Sequence, residues 1–502
     1  MTEPTVAPFA ELGLRATIRT IVDEIKELYL GDAAPWVIGY SGGKDSTAVL
    51  QLVWMALREL HDDERTKPVH VISTDTLVEN PLVALWVTHS LEHIQRAAGA
   101  DGLPITPHRL TPDVKNSFWV SLIGKGYPAP RPRFRWCTER LKIMPSNAFI
   151  TDVVRTSGEA VLVLGIRKAE SSARARAMNR HERLRARDRL SPNASLPGSL
   201  IYSPIESWSN DEVWMFLMQD QNPWGYDNRD LLTMYQGASP DGECPLVIDT
   251  STPSCGDSRF GCWVCTLVEK DRSMQAMIQN DDEKSWMSPL LALRDALGVQ
   301  DDRHLRDFRR MNGAVQLFHD RPIPGPYTQQ AREGWLRRLL ETQQWLRQNA
   351  PSHVRDLSLI SLSELEEIRR LWTIDKHEIE DSLPEIYATT LGELYPGEPL
   401  DDGRVFGRSD MELLSRCCEG KPLEFEMLRS LLDTELQYRT SVRRAGLIEG
   451  LEQVIRRHFY EDEEDAIAFA RWRAATRRDE EGIAARSLPV LDNRDASPQA
   501  TP

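Results

Sequence analysis

Apolar positions follow two rhythms along the chain. Over residues 11–30, Leu14, Ile18, Ile21, Val22, Ile25 and Leu28 recur at helical spacing and predict an amphipathic helix. Trp36, Val37 and Ile38 then predict a short buried strand, followed by a helix over 47–60, a second strand over 70–75, a helix over 82–98 and a strand over 105–110. The clearest apolar strand covers 160–166, and another covers 201–205. Ser209 is a good N-cap with Glu212 at the capping-box position, predicting a helix to about Gln219. Trp208 and Trp214 beside it read as core aromatics. Alternation of strand and helix predicts an α/β fold, a mostly parallel sheet with flanking helices, whose ligands sit beyond the carboxyl ends of the strands.

The rhythm then changes. Over 222–268 Pro, Gly, Asp and Cys dominate and helical periodicity disappears, as expected of an irregular segment held by something other than an apolar core. From about Glu283 the text is mostly helix-forming, broken near 322–326 and 396–399, with amphipathic helices over 423–459 and 461–478 and a frayed tail over 488–502. Three parts follow: 1–220, 221–285 and a helical 286–502. No internal repeat is present.

Composition narrows the setting. With 41% hydrophobic residues in 502, two or three cores are affordable. A formal net charge of -15 argues against coating nucleic acid or a membrane over the whole surface, but permits a local basic groove. There is no run of the ~18–20 apolar residues that a membrane span needs. The first residues lack a basic and apolar leader, so a cytoplasmic setting is expected, where seven cysteines are not a disulfide framework.

The strand at Trp36 opens into Ser41-Gly42-Gly43-Lys44-Asp45-Ser46 and then a helix. Glycines allow close backbone approach to oxygens, while free N–H groups and the helix dipole face an anion, so the stretch suits a polyphosphate. A Walker A loop would need Gly at Ile38 and Ser or Thr at Asp45, and fails at both. The competing reading is a conformational turn that caps a buried helix.

Three other stretches carry chemistry. Beyond the strand over 160–166 come Arg167, Lys168, Glu170, Ser171 and Arg174, and a basic run continues through Arg176, Arg180, Arg183, Arg185, Arg187 and Arg189, with Glu182 and Asp188 as the acids. Such a run suits phosphodiester contacts, or else is a solvated arginine-rich loop. Cys137 lies among Arg131, Arg133, Arg135, Arg140 and Lys142, where positive charge favours thiolate. It is read as a sulfur relay, a metal ligand or a buried structural cysteine. Cys244, Cys255, Cys262 and Cys265 are spaced C-x10-C-x6-C-x2-C. Clustered thiolates in a core-poor segment point to a metal site; zinc favours paired short spacings, and the uneven spacing tolerates a 4Fe-4S cluster. Cys417 and Cys418 read as structural.

The loop Ser41–Ser46 resembles the SGGxDS loop of the ATP pyrophosphatase (PP-loop) superfamily. Gly165, Arg167, Glu170, Ser171 and Arg174 match the G-x-R-x-x-E-S-x-x-R element of its phosphoadenylyl-sulfate (PAPS) reductase branch. Pro204, Ile205, Trp208, Asp211, Val213 and Trp214 resemble a further element of that branch, with a one-residue difference at the Asp, and Cys137 precedes its L-K-x-x-P element at Leu141, Lys142 and Pro145. Together with Ser73-Thr74-Asp75-Thr76 and the four cysteines, these motifs resemble the DndC-type sulfurtransferases of bacterial DNA phosphorothioation. They span roughly residues 10–290; the C-terminal third is similar in general character only.

The resemblance implies an ATP-dependent sulfurtransferase. A DNA phosphate oxygen attacks the α-phosphate of ATP, pyrophosphate leaves, and sulfur then displaces AMP. Ser41, Gly42, Gly43 and Ser46 would hold pyrophosphate, Lys44 would neutralise charge, Asp45 would help place Mg2+, Asp75 would line the adenosine end, and Arg167 and Arg174 would hold a phosphate. A cysteine desulfurase would supply persulfide, and the C-terminal helices, acidic over Glu461–Asp465, would dock partner proteins. The alternatives are a PAPS or adenylyl-sulfate reductase, a tRNA-thiolating PP-loop enzyme, and a non-catalytic nucleic-acid-binding scaffold.

Overall fold

A computed structural model describes residues 8–170, 175–176, 178–180, 187, 189–239, 261–399, 406–439 and 444–487, with side chains described as far as 476. Arg174, the middle of the basic run, Cys244, Cys255 and the tail over 488–502 lie outside the described residues.

Helices α1 (Pro8–Leu12) and α2 (Leu14–Leu30) replace the single predicted N-terminal helix, because Gly13, at φ +79°, breaks the chain between them. Six strands then build one sheet: β1 (Trp36–Gly39), β2 (Val69–Thr74), β3 (Ile105–Leu110), β4 (Ala160–Val163), β5 (Ser191–Pro192) and β6 (Ser199–Tyr202), in the order β3-β2-β1-β4-β6-β5. All neighbours are parallel except the short β5, which runs antiparallel to β6. The outer strands each carry a proline, Pro107 opposite Val71 and Pro192 opposite Leu200. Helices α3 (Lys44–Arg58), α4 (Pro81–Ala100), α5 (Met144–Ser157) and α6 (Asn210–Gln219) flank the sheet.

Strand order reverses at β1, with β2 on one side and β4 on the other. In a doubly wound sheet this switch point opens a crevice at the strands' carboxyl ends. The crevice lies where β1 turns into the glycine loop and β4 into Gly165.

The capping box at α6 is complete: Ser209 Oγ accepts from Glu212 N at 3.2 Å, and Glu212 Oε2 accepts from Ser209 N at 2.7 Å. Glu212 Oε1 also accepts from Phe9 N at 2.7 Å, tying α1 to the start of α6. Trp208 and Trp214 are fully buried in the sheet's core, as their setting predicts.

The stretch over 222–268 is less irregular than its composition suggests. It contains α7 (Asn228–Gly237), N-capped by Asp227, whose Leu231 and Tyr235 enter the sheet's core. Helices α8 (Arg272–Asn280) and α9 (Ser288–Leu297) follow, then α10 (Gln329–Asn349), α11 (Leu362–Arg370), α12 (Leu383–Leu391), α13 (Arg408–Cys417), α14 (Pro422–Arg439), α15 (Leu447–His458) and α16 (Glu463–Ser487). A two-stranded ribbon, β7 (Leu317–Phe318) with β8 (Arg321–Pro322), stands at the first Pro-Gly break. A second large core joins helices α8 through α12 to the 118–141 segment: Trp119 Nε1 donates to Leu359 O at 2.8 Å and Trp372 Nε1 to Ile123 O at 2.9 Å. No helix among the described residues is long and apolar enough to cross a membrane.

On the outer half of the sheet, His70 Nδ1 and His108 Nε2 lie 3.1 Å apart against the ring of Phe149. Burial lowers both imidazoles below the ordinary 6.5, and His108 adds to the effect on His70. The native state therefore binds fewer protons here than the unfolded chain, and stability is lost as pH falls from 6.5. The urea midpoint is expected to drop between pH 7.5 and 5.5, with a smaller drop in His108→Gln; an equal drop in both proteins would mean other groups carry it.

Candidate functional site

The glycine loop is set by close packing as well as by hydrogen bonds. Gly42 has φ +72°, and a Cβ there would lie 2.6 Å from Val87 Cγ2 of α4. Its carbonyl accepts from Trp86 Nε1 at 3.1 Å, so α4 forms one wall of the loop. Gly43 leads extended into α3, and a Cβ there would meet the Tyr235 hydroxyl at 3.2 Å. Ser46 Oγ accepts from Ser41 N at 3.2 Å and donates to Gly43 O at 3.0 Å, with Ser41 Oγ also 3.2 Å away, so the loop closes on its own hydroxyls.

Lys44, Asp45 and Arg167 form one charged unit. Asp45 Oδ1 accepts from Arg167 Nε at 2.7 Å, and Asp45 Oδ2 lies 3.2 Å from Lys44 Nζ. Arg167 is only 4% exposed, and Nη1 also donates to Trp208 O at 3.3 Å. Lys44 Nζ in turn sits 5.4 Å above the ring of Tyr235. Asp45, expected to help place Mg2+, thus has each oxygen held by a cation. Arg167, expected on a phosphate, is here the internal partner of Asp45. Behind them Gly165 faces the first turn of α3, where a Cβ would lie 2.8 Å from the carbonyl carbon and oxygen of Asp45.

Beside the loop is a cavity of about 440 Å3, lined by Gly39, Tyr40 and Ser41 at the end of β1, Thr74 and Asp75 at the end of β2, and Arg109, Glu79 and Lys142. Burial pushes the Tyr40 phenol up to about 12, which keeps it a neutral donor. Asp75 Oδ2 accepts from Arg109 Nε at 3.1 Å and Oδ1 from Leu77 N at 2.8 Å. The acid expected to line the adenosine end therefore does line the cavity, fixed by a cation from β3.

Cys262 reaches the wall of this cavity through Glu79. A turn brings Cys265 N to Cys262 O at 3.0 Å, and Cys262 bridges Glu79 in antiparallel fashion. Cys262 Sγ lies 3.2 Å from Thr76 Oγ1 and 3.8 Å from Glu79 Oε1, while Lys142 Nζ approaches the same Glu79 oxygen at 3.5 Å. Arg294, nearly fully buried, holds the loop after the turn by donating to the carbonyls of Cys265 at 2.9 Å, Glu269 at 2.8 Å and Val268. Burial, then Glu79, pushes the Cys262 thiol up to about 12. Burial opposes charge on Lys142, but Cys262 and Glu79 outweigh it and raise that ammonium.

Cys137 is raised by burial, with Cys265 contributing. The positive neighbours expected to favour its thiolate do not do so, because Arg133 and Arg135 extend into solvent. Cys262 thus lies against Glu79 of the cavity wall, with Cys265 across the turn from it and Cys137 packed on the same core. Among the described residues, no three His, Cys, Asp or Glu side chains gather closely enough to hold a metal ion. Cys244 and Cys255 lie outside the described residues.

The basic run contributes less free charge than its composition suggests. Arg187 pairs with Asp32 at 2.9 Å and Glu159 at 2.7 Å, and Arg189 with Glu24 at 3.3 Å and Glu27 at 3.0 Å.

The sequence singled out the loop, Asp75, Arg167 and the cysteines as candidates, but not their neighbours Trp86, Arg109, Glu79 and Tyr235. For Tyr235 a signal existed, an Asp N-cap followed by apolar residues at helical spacing. Glu79 meets Cys262 across 183 residues of chain.

Residues 35–226 match the family model of the phosphoadenosine phosphosulfate reductase domain. An uncharacterized protein of Methanocaldococcus jannaschii is 27% identical over 268 residues, which cover 53% of this chain and 43% of that protein. The chain thus spans less than half the length of that relative. Among solved structures, PAPS reductase from Candida auris in a phosphate complex shares 14% identity over 42% of this chain and 89% of its own, with a TM-score of 0.27. FMN adenylyltransferase from Candida glabrata, in complex with FAD and inorganic pyrophosphate, shares 12% over 49% and 67%, with a TM-score of 0.25. Scores this low bear neither on the site nor on its chemistry. The family match makes residues 35–226 a PAPS reductase-like domain of the PP-loop superfamily, a nucleotide-utilising fold.

Proposed function

We propose that the protein is an ATP-dependent sulfurtransferase that acts on a DNA backbone phosphate. The observation that carries the reading is the shared wall between the loop-side cavity and the cysteine turn: Glu79 and Lys142 line the former, and Glu79 lies 3.8 Å from Cys262. A sulfur-handling group beside a nucleotide cavity suits a reaction in which an oxygen is first adenylated and then replaced.

A non-bridging oxygen of the phosphodiester attacks the α-phosphorus of ATP, forming a P–O bond as the α–β bridge breaks and pyrophosphate departs. Sulfur then attacks the DNA phosphorus, and AMP leaves with the original oxygen. If the sulfur arrives as a persulfide from a cysteine desulfurase, releasing it takes two electrons from an external thiol. Lys44 meets the charge that develops on pyrophosphate, the Ser41–Ser46 backbone orients it, and Asp45 with Arg167 keeps the start of α3 in register. A Mg2+ ion would add charge neutralisation at the phosphates.

A 4Fe-4S cluster would be held by Cys262 and Cys265 together with Cys244 and Cys255, and it would supply electrons or hold sulfur. The donor chemistry fits, since burial penalises anionic sulfur at Cys262 and Cys137, and a cationic centre reverses that penalty. Cys137 would be a relay or a further ligand. Arg174 would reach the substrate phosphate, and the C-terminal helices would dock other phosphorothioation proteins.

The second reading is a PAPS or adenylyl-sulfate reductase, favoured by the family match over 35–226. Two assays separate the readings. Sulfur-bearing dinucleotides, detected by mass spectrometry of DNA from cells with the gene and absent without it, are the expected result. Thioredoxin-dependent sulfite release from PAPS, with unmodified DNA, would instead establish the reductase.

A further inference from the structure

A second polar cavity, of about 430 Å3, lies far along the chain from the glycine loop, between the start of α10, the turn over Leu371–Asp375, and α14 and α15. Seven Lys and Arg side chains line it against four Asp and Glu, an excess of three cations in a chain whose net charge is -15.

Each carboxylate already has a cationic partner, two of them sharing one. Glu378 pairs with Arg332, including a 3.2 Å contact. Asp307 and Glu426 both pair with Arg309 at 2.7 Å. Asp375 pairs with Arg370, which is not part of the lining, at 3.1 Å. What remains is positive. Lys376 has no ion pair among the described residues, nor has Arg457, and Arg310 donates only to Pro324 O, at 3.1 Å. Arg429, 5% exposed, pairs with Glu380 through Nη1 at 2.8 Å, but its Nε is buried with no partner.

Lys376, half-buried and without an ion pair among the described residues, and the partnerless buried Nε of Arg429 are unfavourable unless an anion in the cavity completes them. Lys376 registers the deficit: burial, then Arg332 and Arg457, lower it to about 8 against the opposing pull of Glu378 and Asp307.

We propose that this cavity is a second anion site, built for a compact phosphoryl anion and independent of the sulfur chemistry. Its volume suits a small ligand rather than a duplex, and Arg332 and Arg429 are too deeply buried to reach a DNA backbone. Guanidinium groups match tetrahedral oxyanions in geometry and charge.

Equilibrium dialysis of the full chain with labelled inorganic pyrophosphate tests the assignment. Arg457→Gln, a change at an exposed residue, and Lys376→Met are each expected to weaken one class of site by about tenfold or more, the loss that follows removal of a charged hydrogen-bond donor. The same class persists in Asp45→Ala, so failure of the loop as a nucleotide site would leave this result standing. Orthophosphate and AMP, run as competitors, distinguish a free anion from the phosphate end of a nucleotide. Wild-type binding curves in both cavity variants, with unchanged circular dichroism, would overturn the proposal.

Discussion

Gly165→Ala is expected to reduce ATP-to-pyrophosphate turnover by about 100-fold, the loss typical of reacting groups displaced by ~1 Å. The added methyl would lie 2.8 Å from the carbonyl carbon and oxygen of Asp45 and 3.1 Å from Ser46 N. All three are main-chain atoms in the first turn of α3, so no side-chain rotation relieves the clash. The helix start must move, carrying the hydroxyl of Ser46 away from Ser41. Overpacking of this kind also costs about 1–3 kcal/mol of stability. Pyrophosphate release and urea unfolding, measured on the same preparation, separate the two effects. Wild-type turnover in a folded Gly165→Ala protein would detach the loop from the chemistry.

Removing the carboxylate of Asp45 is expected to be costly in a different way. Asp45→Ala leaves Arg167 buried with its Nε–H unpaired, and breaking one side of such a pair typically costs about 3–5 kcal/mol. Turnover of ATP to pyrophosphate should be lost as well, because Lys44 loses the partner that holds its ammonium over the loop. The double variant Asp45→Ala with Arg167→Met removes the orphaned charge and should regain part of the stability without regaining turnover. Additive losses in the double variant would show that the pair is not coupled, and unchanged turnover in Asp45→Ala would remove the residue from the reaction.

Much of the fold was legible because local rules and tertiary packing agreed. The strands at Trp36, His70 and Ala160 read as apolar or buried runs, the one at Ile105 as a short strand, and the capping box at Ser209 and Glu212 formed as written. Where the two disagreed, the reading failed. The strand over 160–166 ends at Val163, because the chain turns there to bring Gly165 against α3. Proline, glycine and aspartate around Asn228–Gly237 hid a helix that packing against Trp214 and the sheet's core stabilises.

The site divides in the same way. Ser41–Ser46 is contiguous and therefore visible, whereas Arg167 carries a charge that suggests a substrate contact until its burial against Asp45 is known. The partnership of Asp75 with Arg109 spans 34 residues, and the second anion cavity draws on residues from Lys125 to His458. Linear spacing holds no trace of either.

The two prolines of the outer strands have a consequence for the protein's behaviour at high concentration. Val69 N donates to Pro104 O at 2.9 Å and Asp75 N to Leu110 O at 2.8 Å, so even-numbered residues of β3 face β2, and Pro107 turns its nitrogen outward. On the opposite margin Asn193 N donates to Ser199 O at 3.1 Å, which turns Pro192 outward as well. An incoming strand at either margin meets a nitrogen with no hydrogen to give. Sheet growth from one molecule to the next is blocked on both sides by ring chemistry rather than by surface charge.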